Sequence, residues 1–190
     1  MVIDCHYHLE ERVLDKAGLL QEMDRSGVEK AALMGSMIAP FPEPPRVLLR
    51  ILQAILENRR LRKLGQILVA NFTRDGDIKI LGKPFRIVTD PDNKTVFDAV
   101  RAFPSRFLGW VFVNPRGRVD QATELRRYQD EPGFIGVKAH PFWHRFAPVE
   151  LLPVARVLAD LKKPLLIHCG FGEEGNYRAL LSKVPELRLI

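Results

Sequence analysis

Short apolar segments separated by stretches of helical periodicity are the feature that most limits the fold of this chain. Segments that stay apolar over consecutive residues are typical of strands buried on both faces, as in parallel sheets, and the helices between them supply the crossover connections. The sequence predicts six strands, at 2–8, 28–34, 107–113, 134–140, 164–169 and 187–190. It predicts helices at 14–25, 46–64, 93–103, 119–128, 149–161 and 173–182.

Two architectures accommodate this alternation, an open doubly wound sheet and a closed (β/α)8 barrel of the TIM type. A doubly wound nucleotide-binding sheet usually carries a glycine-rich phosphate loop after its first strand, and residues 8–12 here read His-Leu-Glu-Glu-Arg. We therefore predict an α/β fold of the TIM-barrel type. A full barrel needs about 250 residues. The 190 residues predict a single, incomplete barrel domain over 1–190 that contains the first five to six βα units.

The segment 39–90 interrupts the alternation. It begins with a proline-rich loop, continues with the helix at 46–64, and then has two β-like stretches on either side of Asp75-Gly76, which is a hairpin pattern. We interpret 39–90 as an insertion, with a helix and a hairpin, between strands two and three. The alternative is an irregular excursion of the same loop.

The first strand ends in Asp4-Cys5-His6-Tyr7-His8. Successive side chains of a strand point to opposite faces, so Asp4, His6 and His8 share one face. Two imidazoles at this spacing can reach one metal ion, and a neighbouring carboxylate can ligate the ion or orient a ligand. A coincidental histidine pair on an exposed strand is the alternative.

Histidines also follow later apolar runs. His140 ends the run at 134–140, His168 follows the apolar residues 164–167, and His144 comes shortly after His140. The C-terminal ends of parallel barrel strands meet at one face, where the active sites of such barrels lie. We therefore expect these histidines to converge on a shared pocket.

These residues resemble the amidohydrolase superfamily, in the branch that includes aminocarboxymuconate-semialdehyde decarboxylase. The resemblance is carried by four segments, at 3–8, at 103–109 with Asn114-Pro115, at 136–141 and at 164–170.

The resemblance implies a divalent metal ion held by His6, His8 and His168, and zinc is the ion that we expect. Asp4 would orient one of the ligands. It implies that Lys138 and His140 line the substrate pocket, and that His168 and His140 take part in catalysis. Two alternatives stay open: Lys138 could be carboxylated and bridge two metals, and His140 could merely support a neighbouring ligand.

The function implied is hydrolysis of an amide, ester or lactone of a small, carboxylate-bearing substrate by metal-activated water. A metal-dependent decarboxylase of the same superfamily is an alternative, and a non-catalytic truncated barrel that serves as a binding or assembly module is another. The superfamily's late aspartate, at the end of strand eight, has no counterpart in this sequence, so we expect reduced activity from the chain alone.

Composition bears on the partners. The formal net charge is +6, without an aromatic-basic recognition motif, so we expect no nucleic acid. No window approaches the roughly 20 apolar residues of a membrane span, and no leader pattern is visible, so the sequence predicts no membrane partner and a cytoplasmic protein. Unpaired sheet edges predict a homo-oligomer.

Overall fold

The computed structural model describes residues 1–38, 46–58, 61, 71–72, 77–80, 83–168 and 172–190. The chain divides into two compact units, one made of Met1–Met37 and Thr89–Ile190 and the other of Ile38–Val88. Parts of several predicted elements lie outside the described residues: the loop at 39–45, the helix beyond 58 apart from residue 61, the β-like residues 66–70, the turn at 73–76, and residue 169 of the fifth strand.

Nine strands and seven α-helices are described. The strands are β1 (Ile3–Leu9), β2 (Lys30–Gly35), β3 (Asn71–Phe72), β4 (Ile78–Ile80), β5 (Lys83–Phe85), β6 (Phe107–Val113), β7 (Phe134–Ala139), β8 (Pro164–Ile167) and β9 (Arg188–Leu189). The helices are α1 (Lys16–Ser26), α2 (Arg46–Glu57), α3 (Asn93–Ala102), α4 (Gln121–Tyr128), α5 (Pro141–His144), α6 (Leu152–Asp160) and α7 (Arg178–Leu181). Two 3₁₀ helices lie at Pro148–Leu151 and Gly172–Gly175.

The first unit is built on one parallel sheet of six strands in the order β1-β2-β6-β7-β8-β9. Each strand is added on the same side of the one before it along the chain. A doubly wound sheet would reverse its strand order at the point where the ligand binds, and this sheet has no such reversal. The winding is that of a barrel wall, as the sequence predicts.

The second unit contains α2 and an antiparallel sheet in the order β3-β4-β5. Asn71 pairs with Lys79 across β3 and β4, and Ile78 pairs with Phe85 across β4 and β5. The described helix ends at Glu57, earlier than the predicted 46–64. The interpretation of 39–90 as an insertion stays a prediction.

One hydrophobic core joins the sheet to its helices. Alternate residues of the strands enter this core, such as Val111 and Val113 of β6 and Val137 and Ala139 of β7. Lys138 lies between the last two and therefore points to the opposite face of the sheet. The residues of α1, α3, α4 and α6 in the core are Leu19, Met23, Val96, Phe97, Ala99, Val100, Leu125, Tyr128, Val154, Ala155 and Leu158.

The end of β6 is held by Asn93, the first residue of α3. Its side chain is buried, donates to the Phe112 carbonyl at 2.9 Å and accepts from the Phe112 N–H at 2.7 Å. The amide thus pairs with Phe112 as a neighbouring backbone would. This contact fixes the C-terminal end of the strand, where the predicted site lies.

Three local features differ from the sequence prediction. The predicted helix at 149–161 begins as the 3₁₀ helix Pro148–Leu151 and becomes α-helical only at Leu152. A proline lies at the start of each of these two helices, and proline lacks the N–H donor that an earlier helical turn would need. The predicted helix at 173–182 is two short pieces. Residues 141–144, where the sequence predicts no helix, form the short helix α5, which His140 caps. None of the described helices is both long and apolar enough to span a membrane.

Candidate metal centre

The end of β1 brings His6 and His8 together. Their ring centroids are 5.2 Å apart with the planes at 61°. The pairing of β1 with β2 is irregular between Asp4 and Tyr7, where β1 has one residue more than its partner. Such bulges re-aim side chains and are common beside active sites. Simple alternation in the sequence cannot show this irregularity.

The orientation of His8 follows from one hydrogen bond. Its Nδ1 lies 2.9 Å from the Gly35 carbonyl oxygen at the end of β2. A carbonyl only accepts, so Nδ1 carries the proton and the neutral ring keeps its lone pair on Nε2. A histidine fixed in this way by a carbonyl is the usual arrangement of a metal ligand.

The register of β7 with β8 brings His140 and His168 side by side. Ala139 pairs with Ile167, so the next residue of each strand is also adjacent. The two imidazoles stack with centroids 4.0 Å apart and planes at 13°. The His168 N–H donates to the Ala139 carbonyl at 3.1 Å, which ties the residue to the end of β7.

Lys138 is a buried charge that acts on all four imidazoles. Its side chain is 1% exposed. Burial is the largest cause that lowers the pKa values of His6, His8, His140 and His168, and the positive charge of Lys138 lowers each of them further. The four imidazoles therefore share an electrostatic environment with one lysine.

The imidazoles of β1 favour the neutral state. Burial, followed by the charges of Lys138 and His168, lowers the pKa of His6, although Asp4 partly opposes the shift. Burial is also the largest cause that lowers the pKa of His8, and the charges of His6, Lys138 and His168 add to it. Neutral imidazoles keep the lone pair that a metal needs.

His140 is the most strongly perturbed of the set. Burial and the charges of His168, Lys138 and His144 lower its pKa to about 2. Its Nδ1 accepts a hydrogen bond from the backbone N–H of Trp143 at 3.2 Å, so the proton of the neutral His140 ring is on Nε2. His140 is consequently a neutral group near pH 7 and poorly suited to take up a proton.

Two other residues singled out in the sequence, Asp4 and His144, lie near the histidine pair of β1 and contact it through other groups. Asp4 accepts the backbone N–H of His6 at 2.9 Å, so it fixes the backbone of a predicted ligand. His144 is buried, and its ring centroid is 5.8 Å from that of Phe112, which in turn is 6.1 Å from that of His8.

The donor types suit a divalent ion, because neutral imidazole is a common ligand of zinc and related metals. His6 and His8 supply two such donors, while the third predicted ligand, His168, is stacked on His140. Across the described residues, no three His, Cys, Asp or Glu side chains form a group that could hold a metal ion. The ligand roles of His6, His8 and His168 thus remain proposals.

Two positions of interest are missing from the sequence prediction. Gly35 supplies the carbonyl that fixes His8, and Trp143 packs against His140. Pro141 directly after a strand is a typical first residue of a helix and could have indicated α5. No sequence pattern indicates the contact of Gly35, because it depends on the pairing of β1 with β2.

Comparison with known proteins gives a family and a fold. The family model described as amidohydrolase matches residues 82–188. No curated protein matches the chain.

Several solved structures share the fold at low identity. A 2,6-dihydroxybenzoate decarboxylase from Rhizobium has a TM-score of 0.54 at 14% identity, over 99% of this chain and 64% of that one. A 4-oxalomesaconate hydratase from Rhodopseudomonas palustris has a TM-score of 0.52 at 14% identity, over 100% and 62%. An uncharacterized TIM-barrel protein from Bordetella bronchiseptica has a TM-score of 0.51 at 14% identity, over 99% and 65%.

The chain thus spans 62% to 65% of the length of these three structures. At such identities the likeness concerns the fold alone. It confirms the predicted fold class, with six parallel strands of the TIM-barrel type present.

Proposed function

This chain belongs to the amidohydrolase family, and from that premise we propose that it carries the metal-binding edge and the substrate-holding lysine of a metal-dependent hydrolase. Members of the superfamily are metal-dependent enzymes. The observation that supports the proposal is the pair of neutral imidazoles, His6 and His8, beside the positive charge of Lys138.

His6, His8 and His168 would hold the divalent ion. The Nε2 lone pair of His8 is available because Gly35 accepts its Nδ1–H. We propose zinc, because three imidazole donors suit it well. A bound divalent ion lowers the pKa of a coordinated water and polarises a carbonyl.

Lys138 would hold a carboxylate of the substrate. It is buried, and its charge already reaches the four imidazoles, so an anion placed there would be attracted strongly in surroundings of low polarity. The substrate we propose is a small carboxylate that also contains an amide, ester or lactone bond. His140, neutral and with Nδ1 engaged, would line the pocket rather than transfer protons.

Metal analysis of purified protein tests the proposal. We expect zinc near one equivalent in the wild-type chain after dialysis against limiting zinc, and its loss in the double variant His6→Ala, His8→Ala. Cys5→Ser is the matched control, since Cys5 is an exposed neighbour on the same strand. A wild-type chain that stays metal-free under replete conditions contradicts the proposal, provided that circular dichroism shows it folded.

Decarboxylation is a second candidate, supported by the position of Lys138 beside the imidazoles. A carboxylate held there would lie next to the proposed metal site, where its bond to the substrate carbon would break, with carbon dioxide leaving and a proton from water taking its place on that carbon. The two reactions differ in their products. Hydrolysis leaves the carboxylate of the substrate in place, whereas decarboxylation releases it as carbon dioxide, so mass spectrometry of products from a panel of carboxylated esters and conjugated acids separates them.

A further inference from the structure

Three aromatic rings stack at the C-terminal end of β7. His140 lies in the middle, with the Trp143 ring at 4.5 Å and 16° on one side and the His168 ring at 4.0 Å and 13° on the other. Near-parallel rings at these distances attract each other. The stack therefore restrains the plane of each ring in it.

The ring of His140 is fixed more firmly than that of His168. His140 is buried and caps α5, and its Nδ1 accepts a hydrogen bond from the backbone N–H of Trp143. His168, by contrast, is exposed, and its backbone is held by the Ala139 carbonyl and by the hydroxyl of Tyr177, which donates to the His168 carbonyl at 3.3 Å. These contacts hold the backbone of His168, and among the ring contacts of the described residues it is the stack on His140 that engages its imidazole.

We propose that His140 is a positioning residue for His168: the stacked ring of His140, backed by Trp143, sets the plane in which His168 presents its nitrogen to a metal ion. This inference rests on the proposed ligand role of His168. It assigns to His140 a function through its ring face, and to Trp143 a function that no part of the family prediction includes.

Two variants separate the ring from its nitrogen. His140→Phe keeps an aromatic face against His168 and loses the Nδ1 acceptor. His140→Asn keeps an acceptor suited to the start of a helix and loses the ring. Trp143→Leu, which removes only the outer ring, is a third variant that leaves both histidines in place.

The first measurement needs no metal. In the NMR spectrum of the metal-free chain, the face of His140 should shift the His168 ring protons upfield, with the signal assigned from a His168→Gln variant. We expect this shift to be lost in His140→Asn, to be retained in His140→Phe, and to be reduced in Trp143→Leu.

The second measurement is zinc affinity by chelator competition, together with the visible spectrum of the cobalt-loaded chain. We expect His140→Asn to bind zinc at least about tenfold more weakly, the usual lower bound for groups that orient a ligand, and to show an altered cobalt spectrum. His140→Phe should restore both.

Three outcomes would overturn the inference: a wild type that binds zinc with the same measurable affinity as all variants, a His140→Phe variant as weak as His140→Asn, or an upfield shift that persists in His140→Asn. Failure of the proposed function looks different. If the wild type binds no zinc while the shifts follow the expected order, the ligand role of His168 fails and the positioning of its ring by His140 stands.

Discussion

At the scale of single residues, Lys138 adds to the effect of burial in lowering the pKa values of the histidines near it. A lysine 1% exposed in a strand is costly unless its surroundings make use of the charge. Here the charge acts on four imidazoles and disfavours their protonated forms. Lys138 thus helps to keep these imidazoles neutral, in addition to the anion-holding role that we propose for it.

Replacing Lys138 by Met should therefore raise the pKa of His6, His8 and His168, because removing a nearby positive charge makes protonation easier. Titration of the imidazole signals by NMR measures this directly in the metal-free chain. Lys163→Met is the matched control: Lys163 packs on the Phe134 ring and is not among the charges that act on these histidines. Unchanged titration in Lys138→Met would contradict this account of the site.

The lowered pKa of His140 also predicts how stability depends on pH. Its pKa is about 2 in the folded chain and 6.5 in the unfolded one, so below pH 6.5 the unfolded chain binds a proton that the folded chain does not. The free energy of unfolding should therefore decrease as the pH falls below 6.5, by about 1.4 kcal/mol per pH unit for this group. His6, His8 and His168 shift in the same direction.

Urea unfolding of the metal-free chain at pH 7.5, 6.0 and 5.0 measures this dependence, with His140→Phe for comparison. The variant lacks the proton of His140, so its free energy of unfolding should fall less steeply between pH 6.0 and 5.0, with the slopes differing by about 1.4 kcal/mol per unit. Parallel curves for the two proteins would show that His140 titrates alike in the folded and unfolded chains.

At the scale of elements, the end of β2 connects packing to the site. A Cβ added at Gly35 would lie 3.1 Å from the Asp92 carbonyl oxygen and 3.3 Å from its nitrogen. Both atoms belong to the backbone at the start of α3, so neither can move aside alone. The carbonyl of Gly35 is the one that fixes His8.

Gly35→Ala should accordingly destabilise the chain by about 1–3 kcal/mol, the usual range for an overpacked site, and should also weaken zinc binding through His8. Urea unfolding and chelator competition measure the two effects. Gly27→Ala is the control, since Gly27 has φ 69° with nothing within 4 Å of an added Cβ. It should lose stability to backbone strain and keep its zinc affinity; a Gly35→Ala variant with full affinity would contradict the role of the carbonyl.

The elements also show what the sequence could predict. The apolar run at 107–113 corresponds to β6 residue for residue, because a strand buried on both faces has a continuous apolar sequence. The stack of His140 on His168 depends on Ala139 pairing with Ile167, a register between strands 25 or more residues apart. Local patterns carry no information about that register, nor about the irregular pairing of β1 with β2 between Asp4 and Tyr7.

At the scale of the whole molecule, the two outer strands of the six-stranded sheet, β1 and β9, bear on association between chains. Among the described strands, β1 pairs only with β2, and β9 pairs only with β8. Unpaired strand edges are templates for pairing with another chain. Near the outer strand β1, Val2 is 56% and Ile3 36% exposed, so apolar surface accompanies the free edge.

We therefore expect the chain to self-associate through β1, and Ile3→Lys to weaken the association, because a charge on an edge strand opposes pairing. Size-exclusion chromatography with light scattering should give a mass above 21.7 kDa that rises with concentration, and a return towards 21.7 kDa in the variant. Val13→Lys is the matched control, an equal change of charge at an apolar residue that is 65% exposed outside the strands. If both variants dissociate alike, net charge rather than the edge governs association. A wild-type monomer at every concentration would mean that the edge of β1 does not pair between chains.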